Sequence, residues 1–452
     1  MRLIGFSISL LFAPAPLGSS PAAEADYFLV QELLVGDEDS RKRAGEELVR
    51  AGDKTLLAGM ADVLYYYYVV GDRKAGEEVS RLMLKISAEK SIGRNLRRGW
   101  AEWIGRHEEI QPKAGYLAFK ASVFARYDPA FRRFLDPRFK YRIRPEEIEW
   151  GGVRKDGIPA LLNPRHIPAA RADYLKGKDR VFGVFLNGEA RAYPHRILDW
   201  HEMCNDLVGG APVSLSYCTL CGAGILYDGR VGEETYTFGS SGMLYRSNKL
   251  MYDRQTESLW NQLTGEPVSG QLADSGIRLR VLPLVVTTWE EWLKRHPDTL
   301  VLDIDTGFNR DYSRGPYEDY FKSKDTMFPV WLTRDDLPAK DVVFALVVNG
   351  RPKAYSLETL KKEGITHDRL GGKDLVLVTN KDSGAVRAYA SSGKRFKAGS
   401  TDTQLIEEGS GVVWKLGEEA LQAEGQRLER QPGHMAFWFG WFAFYPTTEV
   451  YR

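Results

Sequence analysis

The spacing of apolar positions changes once along the chain, near residue 150. Before that point the period is helical: Leu56, Met60, Val63 and Tyr67 fall on one face. Asp37 to Ser40 offer N-caps for an earlier helix, which Gly52 ends, and Gly71, Ser91 and Gly105 punctuate further short ones. The run Tyr65 to Tyr68 covers every face of its helix, so some rings must pack and others must meet polar neighbours. Short antiparallel helices of this kind predict a HEAT-like helical domain over 26–140, although no repeat motif fixes it.

Beyond 150, Gly, Pro and β-branched residues rise and the pattern becomes that of strands. Val181 to Leu186 runs into Asn187-Gly188 and then Glu189 to Tyr193; Asn-Gly tolerates positive φ at both turn positions and predicts a hairpin. The arrangement returns 162 residues later, at Val343 to Val348, Asn349-Gly350 and Arg351 to Tyr355. At the same offset Asp206 matches Asp368, Gly209-Gly210 matches Gly371-Gly372, Gly222-Ala223 matches Gly384-Ala385, and Tyr227 matches Tyr389. After a deletion, Trp289, Trp292 and Pro297 correspond to Trp438, Trp441 and Pro446. Two tandem copies of one β-rich unit are therefore expected, at 150–330 and 331–452. The pair supplies an internal control: residues common to both copies serve the fold, and reactive residues found in one copy are candidates for function.

Composition narrows the class. The chain has 452 residues with 62 Lys+Arg against 61 Asp+Glu, and no basic stripe of the kind a nucleic-acid binder needs. A mean hydropathy of −0.36 argues against a polytopic membrane protein. Arg2, the apolar stretch Leu3 to Ala13 and the small-x-small site Ala23-Glu24-Ala25 have the order of a secretory signal peptide over 1–25. A secreted or periplasmic mature chain, with no transmembrane segment, is expected.

The candidate chemistry lies in the first copy. Along Val213 to Cys218, alternation puts Ser214, Ser216 and Cys218 on one strand face, and Cys218-Thr219-Leu220-Cys221 forms a C-x-x-C. Such a pair chelates a soft metal or closes a disulfide. His201 and Cys204 are three residues apart and would share a helix face. Together they offer a metal site of His201, Cys218 and Cys221, with Cys204 as an optional fourth ligand. In the second copy, Glu363, Thr366, Asn380 and Ser383 stand at the positions of His201, Cys204, Cys218 and Cys221, so the thiols and the imidazole vanish together. The alternatives are a redox-active dithiol, and two buried thiols beside a histidine bonded to a carbonyl. Gly222 after Cys221 excludes c-type haem attachment, and no nucleotide motif is present. Gly239 to Gly242 could nest an anion but lacks a P-loop lysine; Asp253, Arg254 and Glu257 could line a cleft or pair locally; Met251 is a thioether ligand or core.

The segments Trp150 to Val153, Asp156 to Leu161, Arg191 to Pro194, Trp200 to Glu202, Tyr217 to Gly222 and Met251 to Trp260 resemble one bacterial family, the domain of unknown function DUF 3179. The resemblance is close over 150–330 and looser in the second copy, and leaves 26–140 outside. It implies equivalents of His201, Cys218 and Cys221, and an aliphatic residue where this chain has Cys204, but no reaction. The expectation is an α+β protein: a helical N-terminal domain, a first β-rich repeat bearing a copper or zinc site, and a degenerate second repeat. A dithiol redox protein is the alternative. Another is a non-catalytic module that engages a protein partner through the helices. No Ser/His/Asp order or H-E-x-x-H marks an enzyme.

Overall fold

The computed structural model describes residues 21–452, with side chains from Asp26 onward. Residues 1–20 of the expected leader lie outside the described residues, and its cleavage site, Ala23 to Ala25, falls within the helix Pro21–Val35. The protein is mixed helical and β, with helices first and several sheets after them.

The helices Pro21–Val35, Glu38–Ala51, Leu57–Val70, Arg73–Ser87, Leu96–Arg106 and Tyr116–Phe124 open the described chain. Their ends follow local chemistry. Asp37 caps Glu38–Ala51 by accepting from the Ser40 N–H at 2.8 Å, and Gly52 closes it at φ 63°, where a Cβ would be penalised. In the tyrosine run, the Tyr65 and Tyr67 hydroxyls donate to the Trp150 and Leu33 carbonyls, while Tyr68 faces water with Arg97 5.8 Å from its ring. Lys120 is fully buried and meets Asp62 at 2.8 Å, with the Tyr116 hydroxyl donating to the same carboxylate. The helical core continues into the β region, for Val63, Trp100 and Phe131 share one cluster with Ile148, Met243, Leu250 and Tyr252.

In one sheet the strands run in the order Val285–Thr288, Arg180–Leu186, Glu189–Pro194, Leu300–Leu302, His166–Pro168. In the second half the order is His434–Phe437, Val342–Val348, Arg351–Ser356, Glu449–Tyr451. Directions agree as well: each hairpin has an antiparallel neighbour outside its first strand and a parallel one outside its second. Asn187 and Asn349 sit at φ 51° and 48°, and their side-chain amides donate to the Gly209 and Gly371 carbonyls at 3.0 and 2.8 Å. A Cβ on Gly209 would meet the Leu186 oxygen at 2.3 Å, and one on Gly371 the Val348 oxygen at 2.1 Å. The Tyr193 and Tyr355 hydroxyls donate to Asp206 and Asp368, each at 2.6 Å. Trp292 and Trp441 donate to Thr299 and Thr448 at 3.0 and 2.9 Å.

Two further five-stranded sheets lie in the first half, beside a two-stranded one of Arg230–Val231 and Glu234–Thr235. One is ordered Val281–Leu282, Ala223–Asp228, Ala211–Cys218, Met203–Val208, Leu161–Leu162. The other is Ile148–Trp150, Phe238–Tyr245, Asn248–Asp253, Leu259–Asn261, Pro267–Ser269. The cluster between them, with Cys218, Cys221, Met251 and Trp260, also takes in Trp438, Phe439 and Trp441 of the second half.

The halves are joined by charge too. Arg387, buried on Val386–Ala390, meets Glu418 at 2.7 Å and reaches Glu291 of the first half at 3.2 Å. Burial opposes the charge on Glu418, but Arg387 outweighs it and holds the carboxyl well below its ordinary value. Arg387→Met should cost about 3–5 kcal/mol, since two buried carboxylates lose the cation they share and keep only Arg295 and Arg430. Urea unfolding measures the loss, which should shrink at acidic pH as those carboxylates protonate.

Candidate functional site

The strand Ala211–Cys218 ends at Cys218, and the chain turns through Thr219 and Leu220 to Cys221 before Ala223–Asp228 begins. Gly222 takes φ 59° in that turn, and its N–H donates to the Thr219 carbonyl at 3.3 Å. Both cysteines are buried, and all three in the chain are free thiols.

Cys218 and Cys221 are brought together, with unequal surroundings. Burial by itself would push the Cys218 thiol up. The neighbouring Cys221 thiol, then the backbone N–H groups of Lys249 and Cys221, outweigh burial and the Glu202 charge and hold it below the ordinary thiol value. Cys221 goes the other way. Burial, and then the neighbouring Cys218, push it well above that value. Its S–H donates to the Ser247 carbonyl at 3.4 Å, and its sulfur accepts from the Asn248 amide at 3.6 Å. Asn248 donates in turn to Gln262, whose own amide donates to the Ser216 and Ala223 carbonyls, each at 3.1 Å.

His201 is not part of this arrangement. Its Nδ1 lies 2.7 Å from the Pro159 carbonyl oxygen and its Nε2 2.5 Å from the Tyr312 hydroxyl. Both ring nitrogens are engaged, and burial holds the imidazole neutral by lowering its pKa. Among the described residues no three His, Cys, Asp or Glu side chains gather as a metal-holding group, so the expected set of His201, Cys218 and Cys221 is not assembled. Nor do His201 and Cys204 share a helix face. The helix His195–His201 stops at Glu202, which takes φ 56°, and Cys204 belongs to the strand Met203–Val208. Cys204 packs with Leu215 and Tyr193 in a different core cluster from the cysteine pair.

The other sequence candidates are structural. Ser241 donates to the Leu250 carbonyl at 2.5 Å and accepts from the Met243 N–H at 3.1 Å, inside a strand irregularity between Ser240 and Leu244. Asp253 is buried and knots its turn, accepting from the N–H and hydroxyl of Thr256, the Ser258 N–H and the Trp260 indole. Arg254 reaches Asp156 at 3.0 Å, and Glu257 pairs with Lys155 and Arg133. Met251 is fully buried core.

Residues that sequence reasoning missed surround the pair. Glu202 is buried with Lys249, their charges 3.0 Å apart, and its other oxygen accepts from Thr219 at 3.1 Å and Tyr317 at 3.3 Å. A lysine within the otherwise buried strand Asn248–Asp253 was the available signal. The segment 303–341, mostly without regular structure, roofs the site: Tyr312 bonds His201, Tyr317 bonds Glu202, and the Tyr320 hydroxyl donates to the Leu220 carbonyl at 2.7 Å. From the second half, the Phe437 N–H donates to the Cys221 carbonyl at 2.7 Å, and a Cβ on Gly440 would meet the Cys221 Cβ at 2.9 Å.

Asp199, on the helix that ends at Glu202, is buried, and its Oδ1 has no hydrogen-bond partner. Burial, then Glu202 and Glu318, push its carboxyl up to about 7. An unfolded Asp releases its proton near pH 4, so wild type should lose stability as pH rises from there through 7. Asp199→Asn should remove that slope and stabilise the fold at pH 8 by roughly 2–4 kcal/mol. Urea melts from pH 4 to 8 read it; parallel slopes would contradict it.

Comparison with known proteins adds a family and no reaction. No curated protein and no solved structure matches the chain. The family model described as "Protein of unknown function (DUF3179)" matches residues 155–448, which takes in the cysteine pair, its roof and both halves of the β region. The chain belongs to the DUF3179 family.

Proposed function

We propose that Cys218 and Cys221 form a buried dithiol centre that cycles between thiols and a disulfide, in a protein exported from the cytoplasm. The observation that carries the proposal is the pair itself: two buried free thiols on one turn, close enough that Cys221 draws the Cys218 thiol down while its own is pushed up. That division suits thiol–disulfide exchange. The Cys218 thiolate attacks a substrate disulfide and releases one substrate thiolate; Cys221 then attacks Cys218 and releases the second. The substrate is reduced by two electrons and the pair oxidised by two. Both sulfurs are out of water, so the Tyr312, Tyr317 and Tyr320 contacts of segment 303–341 must open for a substrate to enter.

The second half supports the assignment. Asn380 stands where Cys218 stands in the first, and its Oδ1 accepts from the Ser383 N–H at 2.9 Å, much as the Cys218 sulfur accepts from Cys221. An asparagine serves that turn, so turn geometry gives no reason for a thiol. The shared strand order and paired hydrogen bonds support reading 150–330 and 331–452 as copies of one unit, the second kept as scaffold. The copper or zinc reading is left with two thiols, since both His201 nitrogens are bonded elsewhere. Use of the helical domain over 26–140 as an interaction module has no such geometric support.

Oxidised glutathione added to the reduced protein should yield a Cys218–Cys221 disulfide by mass spectrometry. Cys218→Ser should abolish it, and His201→Ala should leave the pair able to form it. Copper or zinc at one per chain, lost in Cys218→Ser, would replace the dithiol reading with a metal one. For the location, N-terminal sequencing of native protein should give Asp26 in an extracytoplasmic fraction; a cytoplasmic chain starting at Met1 would overturn export.

A further inference from the structure

We infer that Glu202, paired with Lys249, is the proton acceptor that serves the cysteine pair. The inference rests on the dithiol reading and assigns the group that reading leaves open. When Cys221 attacks Cys218 it must lose a proton, in a site closed to water and beside a thiol whose proton is held tightly.

Three observations converge on Glu202. The first is its backbone. Glu202 ends the helix His195–His201 at φ 56°, a conformation that favours glycine. The corresponding corner of the second half ends the helix Leu357–Glu363 at Gly364, with φ 79°. The two corners make the same bonds. The Glu202 N–H donates to the Leu198 carbonyl at 2.7 Å and the Gly364 N–H to Leu360 at 2.8 Å. The Tyr217 N–H donates to the Glu202 carbonyl and the Thr379 N–H to Gly364, each at 2.7 Å. Where the thiols are missing, the corner carries the residue its geometry prefers. Where they are present, it carries a strained, buried glutamate. Strain that the fold does not need points to a use for the side chain.

The second observation is where the carboxylate goes. It turns into the protein, not into solvent, and one oxygen accepts from Thr219, which lies between the two cysteines in the chain. The third is its counter-charge. Lys249 is buried, its ammonium lies 3.0 Å from the Glu202 carboxylate, and its backbone N–H faces the Cys218 sulfur. One residue thus reaches both Glu202 and Cys218. The position matching Thr219 in the second half is Lys381, which is exposed and donates to the Lys362 carbonyl.

The step balances. Glu202 takes the Cys221 proton as the Cys221 sulfur bonds to Cys218. The bond between Cys218 and the substrate sulfur breaks, and the departing substrate thiolate takes the proton back from Glu202. The oxidant throughout is the substrate disulfide.

The test follows the rate of disulfide formation by oxidised glutathione from pH 6 to 9 in the full chain, quenched by alkylation and read by mass. The variants are Glu202→Gln and the double variant Glu202→Gly with Lys249→Met. The double variant puts glycine where the backbone wants it and removes the ammonium that would otherwise lie buried without a partner, so it keeps the test open if Glu202→Gln fails to fold. Closure of the mixed disulfide should slow about 100-fold near pH 7 and recover as pH rises, because hydroxide replaces the missing base. A residue that merely held Lys249 in place would change the melting temperature and leave that pH profile alone. A folded double variant with the wild-type profile overturns the assignment of Glu202 while leaving the dithiol standing. Wild type that forms no disulfide removes both.

Discussion

A carboxylate taken out of water must be met by donors, and much of this structure is arranged around that requirement. Asp62 is answered by Lys120 and Tyr116 inside the helices. Asp206 is answered by Arg191 and Tyr193 beneath one hairpin, and Asp253 by four donors of its own turn. Glu418 is answered by Arg387 across the second half, and Glu202 by Lys249 beside the cysteines. Asp253 ties only its own turn; the other clusters join separate elements, and each is costly to break from one side, because the partner left behind stays buried and charged. Apolar burial draws the layers together. These clusters fix which residues meet.

That division explains what the sequence disclosed. The cap at Asp37, the stop at Gly52 and the Asn-Gly turns at 187 and 349 were legible because each depends on a few adjacent residues. The change from helical to strand pattern near 150 was legible for the same reason. The cysteine pair was legible as a pair. The place of His201 was not, because its partners Pro159 and Tyr312 lie 42 and 111 residues away and a local motif cannot name them. Placing His201 and Cys204 on one helix face failed at a single torsion, the positive φ of Glu202, where a glutamate gives no sign of a helix end.

The two halves of the β region are not independent in the finished molecule. Phe437 and Gly440 press on the loop that carries Cys221, and Glu291 of the first half shares Arg387 with Glu418 of the second. A half that carries no thiol still shapes the thiol site, through the backbone of Phe437 and Gly440.

The depth of the pair also bears on how long it would last. Sulfenic acid turns into sulfinic acid when a second peroxide molecule reaches the same sulfur, and that further oxidation is essentially irreversible. Here Cys218 is 1% exposed and Cys221 fully enclosed. Cys221 is also within reach to condense with a sulfenic acid on Cys218 before more peroxide enters. Burial that keeps water from both sulfurs keeps peroxide from them too, so the depth that slows any chemistry at this pair also protects it.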